Sequence, residues 1–247
     1  MQIATIACTC KLFDGLVESD LATPGWLTIG IARLLAGYVR LCGLTIRWQG
    51  EGRADLAAAL RDGPVVYVVW HQRLLYSAAH WPRAAGLLGT IHDPSPAGSV
   101  AGYYLSRFKA KPLPMNRKAS SLAMLRQAVG ALKEGTSIGL AADGPTGPAR
   151  RAKSAPIDWA RIANRPVWLY AFSVRRGWRL KTWDRLLLPL PFTRGAYAFR
   201  RFDVAIDRHA DAATLEAARQ SLTDALNALS AELDAQTGLG PDPARGY

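Results

Sequence analysis

The sequence predicts an α/β fold: a mixed, mostly parallel central sheet flanked by helices, with an amphipathic helix at its N-terminal side. Three observations predict it. Apolar runs of strand length alternate with helix-length segments along the chain. Those runs are apolar throughout, so both faces of the sheet are expected to be covered. The chain has 247 residues, a length that suits one such unit.

The most apolar region is 26–47, WLTIGIARLLAGYVRLCGLTIR. Arg33, Arg40 and Arg47 recur there every seven residues, close to two helical turns, so they form one stripe. The uncharged stretch 21–32 has twelve residues, against roughly 18–20 for a spanning helix. Two readings follow: a helix lying in a membrane interface with its arginines towards phosphates, or a core helix with an exposed arginine stripe. A weak spanning helix ranks third. Strands are expected at 64–70, 86–91, 136–142, 166–174 and 196–206, and helices at 72–81, 97–108, 119–134 and 155–164. In the last helix, 211–236, Leu215, Leu222, Leu226, Leu229 and Leu233 make one apolar stripe opposite an acidic face. It is too short for a coiled coil. The expected organisation is an N-terminal segment 1–47, an α/β domain 48–236 and a flexible tail 237–247. The first residues lack the basic and apolar regions of a secretory signal.

The composition, 49% hydrophobic and 20% charged, excludes a chain that is disordered throughout. Cys8, Cys10 and Cys42 are too few for a disulfide framework, and Cys8-x-Cys10 has no second ligand pair, so reduced thiols and no zinc site are expected. The net charge is +12. The segment 211–236 holds five acids and one base and the tail 237–247 is neutral, so residues 1–210 carry +16. A body this basic attracts nucleic acid, an anionic membrane or phosphorylated substrates.

Four clusters carry candidate chemistry. Trp70-His71-Gln72-Arg73 ends the first apolar strand, and crevices of open α/β sheets lie at carboxyl ends of strands. A lone His is more often structural, yet here it is placed to act as a base towards a hydroxyl. Asp143-Gly144-Pro145-Thr146-Gly147-Pro148 follows the strand 136–142. Gly and Pro this dense specify a tight loop, either a plain turn or one that holds an anion with Arg150, Arg151 and Lys153. Asn116 to Ser121 opens the helix 119–134. Ser120 or Ser121 is a cap, and the helix N-terminus with Arg117 and Lys118 is either solvated or a phosphate site. Trp183-Asp184-Arg185 through Pro189-Leu190-Pro191-Phe192 is a proline-stiffened loop: an acyl-chain wall, a membrane-facing ridge, or core packing. His71, His80, His92 and His209 lack metal-ligand spacing, and no nucleotide-binding glycine signature occurs.

In chain order these four clusters resemble the lysophospholipid acyltransferase superfamily, and more narrowly its bacterial branch of unknown function related to the lipid A acyltransferases. The resemblance runs from about Val39 to Leu233 and is most specific at Asp143–Pro148 and Trp183–Phe192. It implies a glycerolipid acyltransferase-like fold and transfer of an acyl group from a thioester, carried by acyl carrier protein or coenzyme A, to a hydroxyl of a phospholipid or glycolipid. It implies no bound cofactor and no metal. His71 fits the base that takes the hydroxyl proton. The superfamily places an Asp five residues further on; here that position is Tyr76. The partner of His71 is therefore open, with Asp143 the first candidate and Asp93 the second. The resemblance maps Gly144, Pro145, Thr146 and Gly147, with Arg150 or Arg151 as the replacement charge, onto the superfamily's third block. It maps Arg117 onto the block that binds the acceptor's phosphate. Arg73, Ser120 and Ser121 complete the expected substrate contacts. The expected location is the cytoplasmic face of an inner membrane, peripheral or monotopic, on anionic lipid, with an acidic carrier protein as a further partner.

Two rivals remain at this level. Tyr76 in place of an acid motivates a non-catalytic anionic-lipid-binding protein on the same scaffold. The charge and eight Trp motivate a nucleic-acid binder. The basic residues are interleaved with turns and apolar helices, not with a stacking module, so the nucleic-acid reading ranks last.

Overall fold

A computed structural model describes residues 25–92, 95–114, 121–203 and 206–240. The elements in order are α1 (Trp26–Thr45), β1 (Arg47–Glu51), α2 (Arg53–Asp62), β2 (Val66–Val69), a 3₁₀ turn (His71–Arg73), α3 (Ser77–His80), β3 (Leu87–His92), α4 (Pro96–Ser106), β4 (Lys111–Pro114), α5 (Ser121–Lys133), β5 (Thr136–Ala141), α6 (Ala155–Ala163), β6 (Val167–Val174), β7 (Gly177–Arg179), β8 (Leu187–Pro189), β9 (Arg194–Phe202) and α7 (Ala212–Thr237).

Seven strands form one sheet in the order β1-β9-β6-β2-β5-β3-β4. Every pair is parallel except β6 with β9. The sheet is mixed and mostly parallel, as expected. All eight residues of β6 are buried, which explains its unbroken apolar run. Side chains alternate between two cores. Tyr67, Val69, Tyr170 and Phe172 join α1, α2 and α4 on one face. Val66, Val68, Trp70, Leu169 and Ala171 join α5, α6 and α7 on the other.

α1 packs through Ala32, Ala36, Val39 and Cys42, spaced four, three and three, so small side chains let it approach the body. Trp26, Leu27, Ile31, Leu34, Leu41 and Leu44 on its other directions are exposed. The helix is long and apolar enough to cross a membrane by length and composition. Its arginines are not one free stripe. Arg40 Nη2 donates to the Arg107 carbonyl at 2.9 Å and the guanidinium lies over the Phe108 ring. Tyr76 donates its hydroxyl to the Val39 carbonyl at 2.8 Å, fastening α1 from below.

The structure also corrects the element boundaries. The helix expected at 72–81 is a 3₁₀ turn followed by the four-residue α3, with Leu74 to Tyr76 between them. β1, α2 and β4 were not anticipated. The expected strand 196–206 starts at Arg194 and ends at Phe202, and the proline-stiffened loop contains β8, which pairs antiparallel with β7. The start of the expected helix 119–134 lies partly outside the described residues.

Candidate active site

β2 and β5 are adjacent and parallel, so their carboxyl ends meet at one edge. His71 follows β2 and Asp143 follows β5, and the Ala142 amide donates to the Val69 carbonyl at 2.8 Å, which locks the two exits together. The loop after Asp143 folds back until the Lys153 amide reaches the Ala142 carbonyl at 2.7 Å. Gly147 adopts φ +70°, and a Cβ there would stand 2.9 Å from the Trp183 ring. Only glycine combines that conformation with that close approach.

Asp143 is fully buried. Its Oδ1 accepts from the His71 amide at 3.2 Å and stands 2.8 Å from His71 Nδ1; its Oδ2 accepts from the Arg150 amide at 3.2 Å. These N–H groups satisfy a carboxylate withdrawn from water. With the carboxylate ionised and the imidazole neutral, Nδ1 donates to Asp143 and the lone pair is left on Nε2. His71 is 23% exposed and lines a cavity of about 870 Å³. A deprotonated ring nitrogen at the edge of a cavity is the arrangement a general base needs.

The cavity runs from His71 between β3, β5, α4, α5 and α6. Its wall is mainly apolar, including Leu88, Ile91, Leu105, Leu122, Leu125 and Trp159. Its size matches small-molecule sites of roughly 300–1,000 Å³. Trp183 meets the His71 ring edge-on, with centroids 5.1 Å apart, and closes one side.

The expected site residues divide into three groups. His71, Ser121, Gly144, Pro145 and Thr146 line the cavity, and Asp143 stands behind His71. Arg73, Gly147 and Arg150 do not line it. Arg73, expected to bind substrate, is 1% exposed: Nη2 grips both oxygens of Asp234 at 2.9 and 2.7 Å, and Nη1 donates to the Phe172 carbonyl at 3.0 Å. Its charge is spent inside the fold. Asp93, Arg117 and Ser120 lie outside the described residues. Tyr76, five residues after His71, is 1% exposed and packs against α1.

Two residues from the wider sequence clusters, outside the expected catalytic and substrate contacts, also line the cavity. Lys153 lines the cavity and has no carboxylate partner among the described residues, whereas Arg161 is held by Asp158 and the Arg208 carbonyl. Trp183 belongs to the proline-stiffened loop for which an acyl-chain wall is one reading, but nothing local in the sequence says that it reaches His71.

No family model matches the chain. An uncharacterized protein of Rickettsia prowazekii is similar to it, 28% identical over 133 residues. That match covers 54% of this chain and 61% of the relative, so the chain spans less than two thirds of the relative's length. Among solved structures, the chain is similar to the 1-acyl-sn-glycerophosphate (LPA) acyltransferase PlsC from Thermotoga maritima, with a TM-score of 0.46 and 13% identity, over 96% of this chain and 90% of that one.

Proposed function

We propose that the protein is a membrane-associated O-acyltransferase that moves a fatty acyl group from a thioester to a hydroxyl of a phospholipid or glycolipid. The observation that carries this reading is the His71–Asp143 pair at the mouth of a largely apolar cavity. In the proposed reaction the acceptor O–H gives its proton to His71 Nε2 as its oxygen attacks the thioester carbonyl. Asp143 fixes the tautomer and stabilises the imidazolium. The tetrahedral intermediate then breaks its C–S bond, and the departing sulfur takes the proton back from Nε2. The products are an ester and a free thiol. The apolar wall suits the acyl chain, and Lys153 suits a phosphate on the acceptor or the carrier.

Acyl carrier protein or coenzyme A is the proposed donor carrier. The exposed apolar side of α1, with Arg33 nearby, supports contact with an anionic membrane surface. The cytoplasmic face of an inner membrane is the proposed location. The non-catalytic lipid-binding reading rested on Tyr76; Asp143 supplies the carboxylate that Tyr76 lacks, which favours catalysis.

The test is transfer from an acyl thioester to a panel of lipid acceptors by the purified protein. His71→Ala is expected to lose general-base help of about 10²–10⁴-fold with unchanged circular dichroism. Full activity in that variant overturns the proposal.

A further inference from the structure

Four arginines meet at the sheet edge where His71 lies. β6 runs parallel to β2, so Val174 marks the same carboxyl edge. Val174 pairs with Gly195, the Arg175 amide donates to the Arg194 carbonyl at 2.9 Å, and Arg194 is opposite Arg47 across the β9–β1 pair. The Leu190 amide donates to the Arg176 carbonyl at 2.9 Å, which brings Arg176 to the same place. Arg47, Arg175, Arg176 and Arg194 are all exposed, and among the described residues none has a carboxylate partner. β6 is next to β2 and β1 is three strands away, so this patch runs from about 5 Å to about 15 Å along the edge from the active site.

The chain segments that carry these charges also expose apolar side chains. Phe192 is 78% exposed and Leu44, three residues before Arg47, is 87% exposed. Trp178 on β7 is also exposed. Phe192 has φ +57°, a conformation unfavourable for a bulky side chain, and holds its ring out of the core. The patch is continuous with α1: Tyr38 donates its hydroxyl to the Pro189 carbonyl at 2.6 Å, tying the helix to β8.

We propose that this patch is a second membrane contact, in which Phe192, Trp178 and Leu44 enter the interface of an anionic bilayer while Arg47, Arg175, Arg176 and Arg194 bind lipid phosphates. The inference rests on the membrane-associated reading above and adds the surface and its orientation. Exposed aromatic and aliphatic side chains on the segments that carry unneutralised arginines match the headgroup boundary, where aromatic rings sit and cations gain from anionic lipid. Charge alone would equally suit an acidic protein; the outward apolar side chains favour a bilayer. Contact here turns the carboxyl edge of the sheet, and with it His71, towards the lipid surface.

The experiment is co-sedimentation of the full chain with phosphatidylcholine vesicles, with and without phosphatidylglycerol. Arg175→Gln with Arg176→Gln is expected to weaken binding to the phosphatidylglycerol vesicles by about 25-fold, fivefold for each cation. Phe192→Asn, which suits the positive φ, is expected to weaken it several-fold. Unfolding midpoints should match wild type. Wild-type affinity in both variants overturns the patch alone, as does loss of binding to an acidic carrier protein with vesicle binding intact. A wild-type chain that ignores anionic vesicles overturns the membrane reading as well. Acyl transfer to a micellar acceptor, expected to be unchanged in these variants, tests the His71 chemistry separately.

Discussion

His71 and Arg73 sit two residues apart on one 3₁₀ turn, and each faces a carboxylate from a distant part of the chain. Their surroundings differ. Asp143 holds one side of the His71 ring and leaves Nε2 at a cavity. Arg73 is sealed in: Asp234, the Phe172 carbonyl and the enclosing core take up its guanidinium. Asp234 is further held by Ser173 Oγ at 2.6 Å and lies 3.8 Å from Arg179. Both pairs combine a basic side chain with an acid. What separates the pair proposed as reactive from the scaffolding pair is that the second ring nitrogen of His71 is left on the cavity side, not the pairing itself. The scaffolding pair also ties the turn to α7, so it positions the reactive one.

The largest expected effect is on the reactive pair. Asp143→Asn keeps the shape but removes the charge and turns one accepting oxygen into an NH2 donor, so the tautomer is no longer fixed, and it is expected to lower kcat by about 10³–10⁴-fold. His71→Ala combined with Asp143→Asn is expected to be no slower than the worse single variant, because the two act as one unit. Multiplicative losses in steady-state kinetics would show that Asp143 acts independently of His71 and would break the comparison.

The scaffolding pair is expected to respond in stability. Asp234→Leu leaves a buried cation without its partner and should cost about 3–5 kcal/mol of unfolding free energy. Arg73→Met together with Asp234→Leu should regain most of that loss, since an apolar pair replaces an ionic one. Urea titrations measure both. A double variant that is stable yet shows no turnover would move Arg73 into the chemistry and erase the contrast.

The alternation of apolar runs made the parallel strands legible, because β2 and β6 are buried on both faces and look it. β1 was not legible: its residues, Arg47 to Glu51, are mostly exposed and polar, and it is a strand because β9 supplies a partner. β4 carries two prolines in four residues, a poor strand signal tolerated at a sheet edge. At the site, strand ends located His71 and Asp143. The fate of Arg73 was hidden, because its partner Asp234 is 161 residues away and looked like one acid of a solvated helix face. Tyr76 was read as a missing acid; in the fold its hydroxyl holds α1 through Val39.

A smaller effect is expected at Lys153, the cavity cation with no carboxylate partner among the described residues. Lys153→Gln should raise KM for a phosphate-bearing acceptor about tenfold, the loss of one charge-assisted contact, with a lesser change in kcat. Arg161, already paired with Asp158, should give less when changed to Gln. Equal effects of the two would show that both cations act on the substrate.

The smallest expected effect separates His71 from a second histidine nine residues on. His80 packs against Trp48, Tyr76 and Tyr197, and its Nδ1 is 2.8 Å from the Tyr170 hydroxyl, with no carboxylate. Desolvation, with a smaller contribution from the Arg53 charge, lowers its pKa to about 3. The unfolded chain takes up this proton near pH 6.5, while the folded chain stays neutral down to about pH 3. Stability is therefore full above pH 6.5 and falls as pH drops through that window, by at most about 1.4 kcal/mol per pH unit from this group. His80→Gln should flatten the slope of unfolding free energy between pH 6 and pH 4 by up to one proton, whatever its cost at pH 7. If the slope is unchanged, His80 is charged in the folded state. The two histidines would then differ by their partners alone and not by burial.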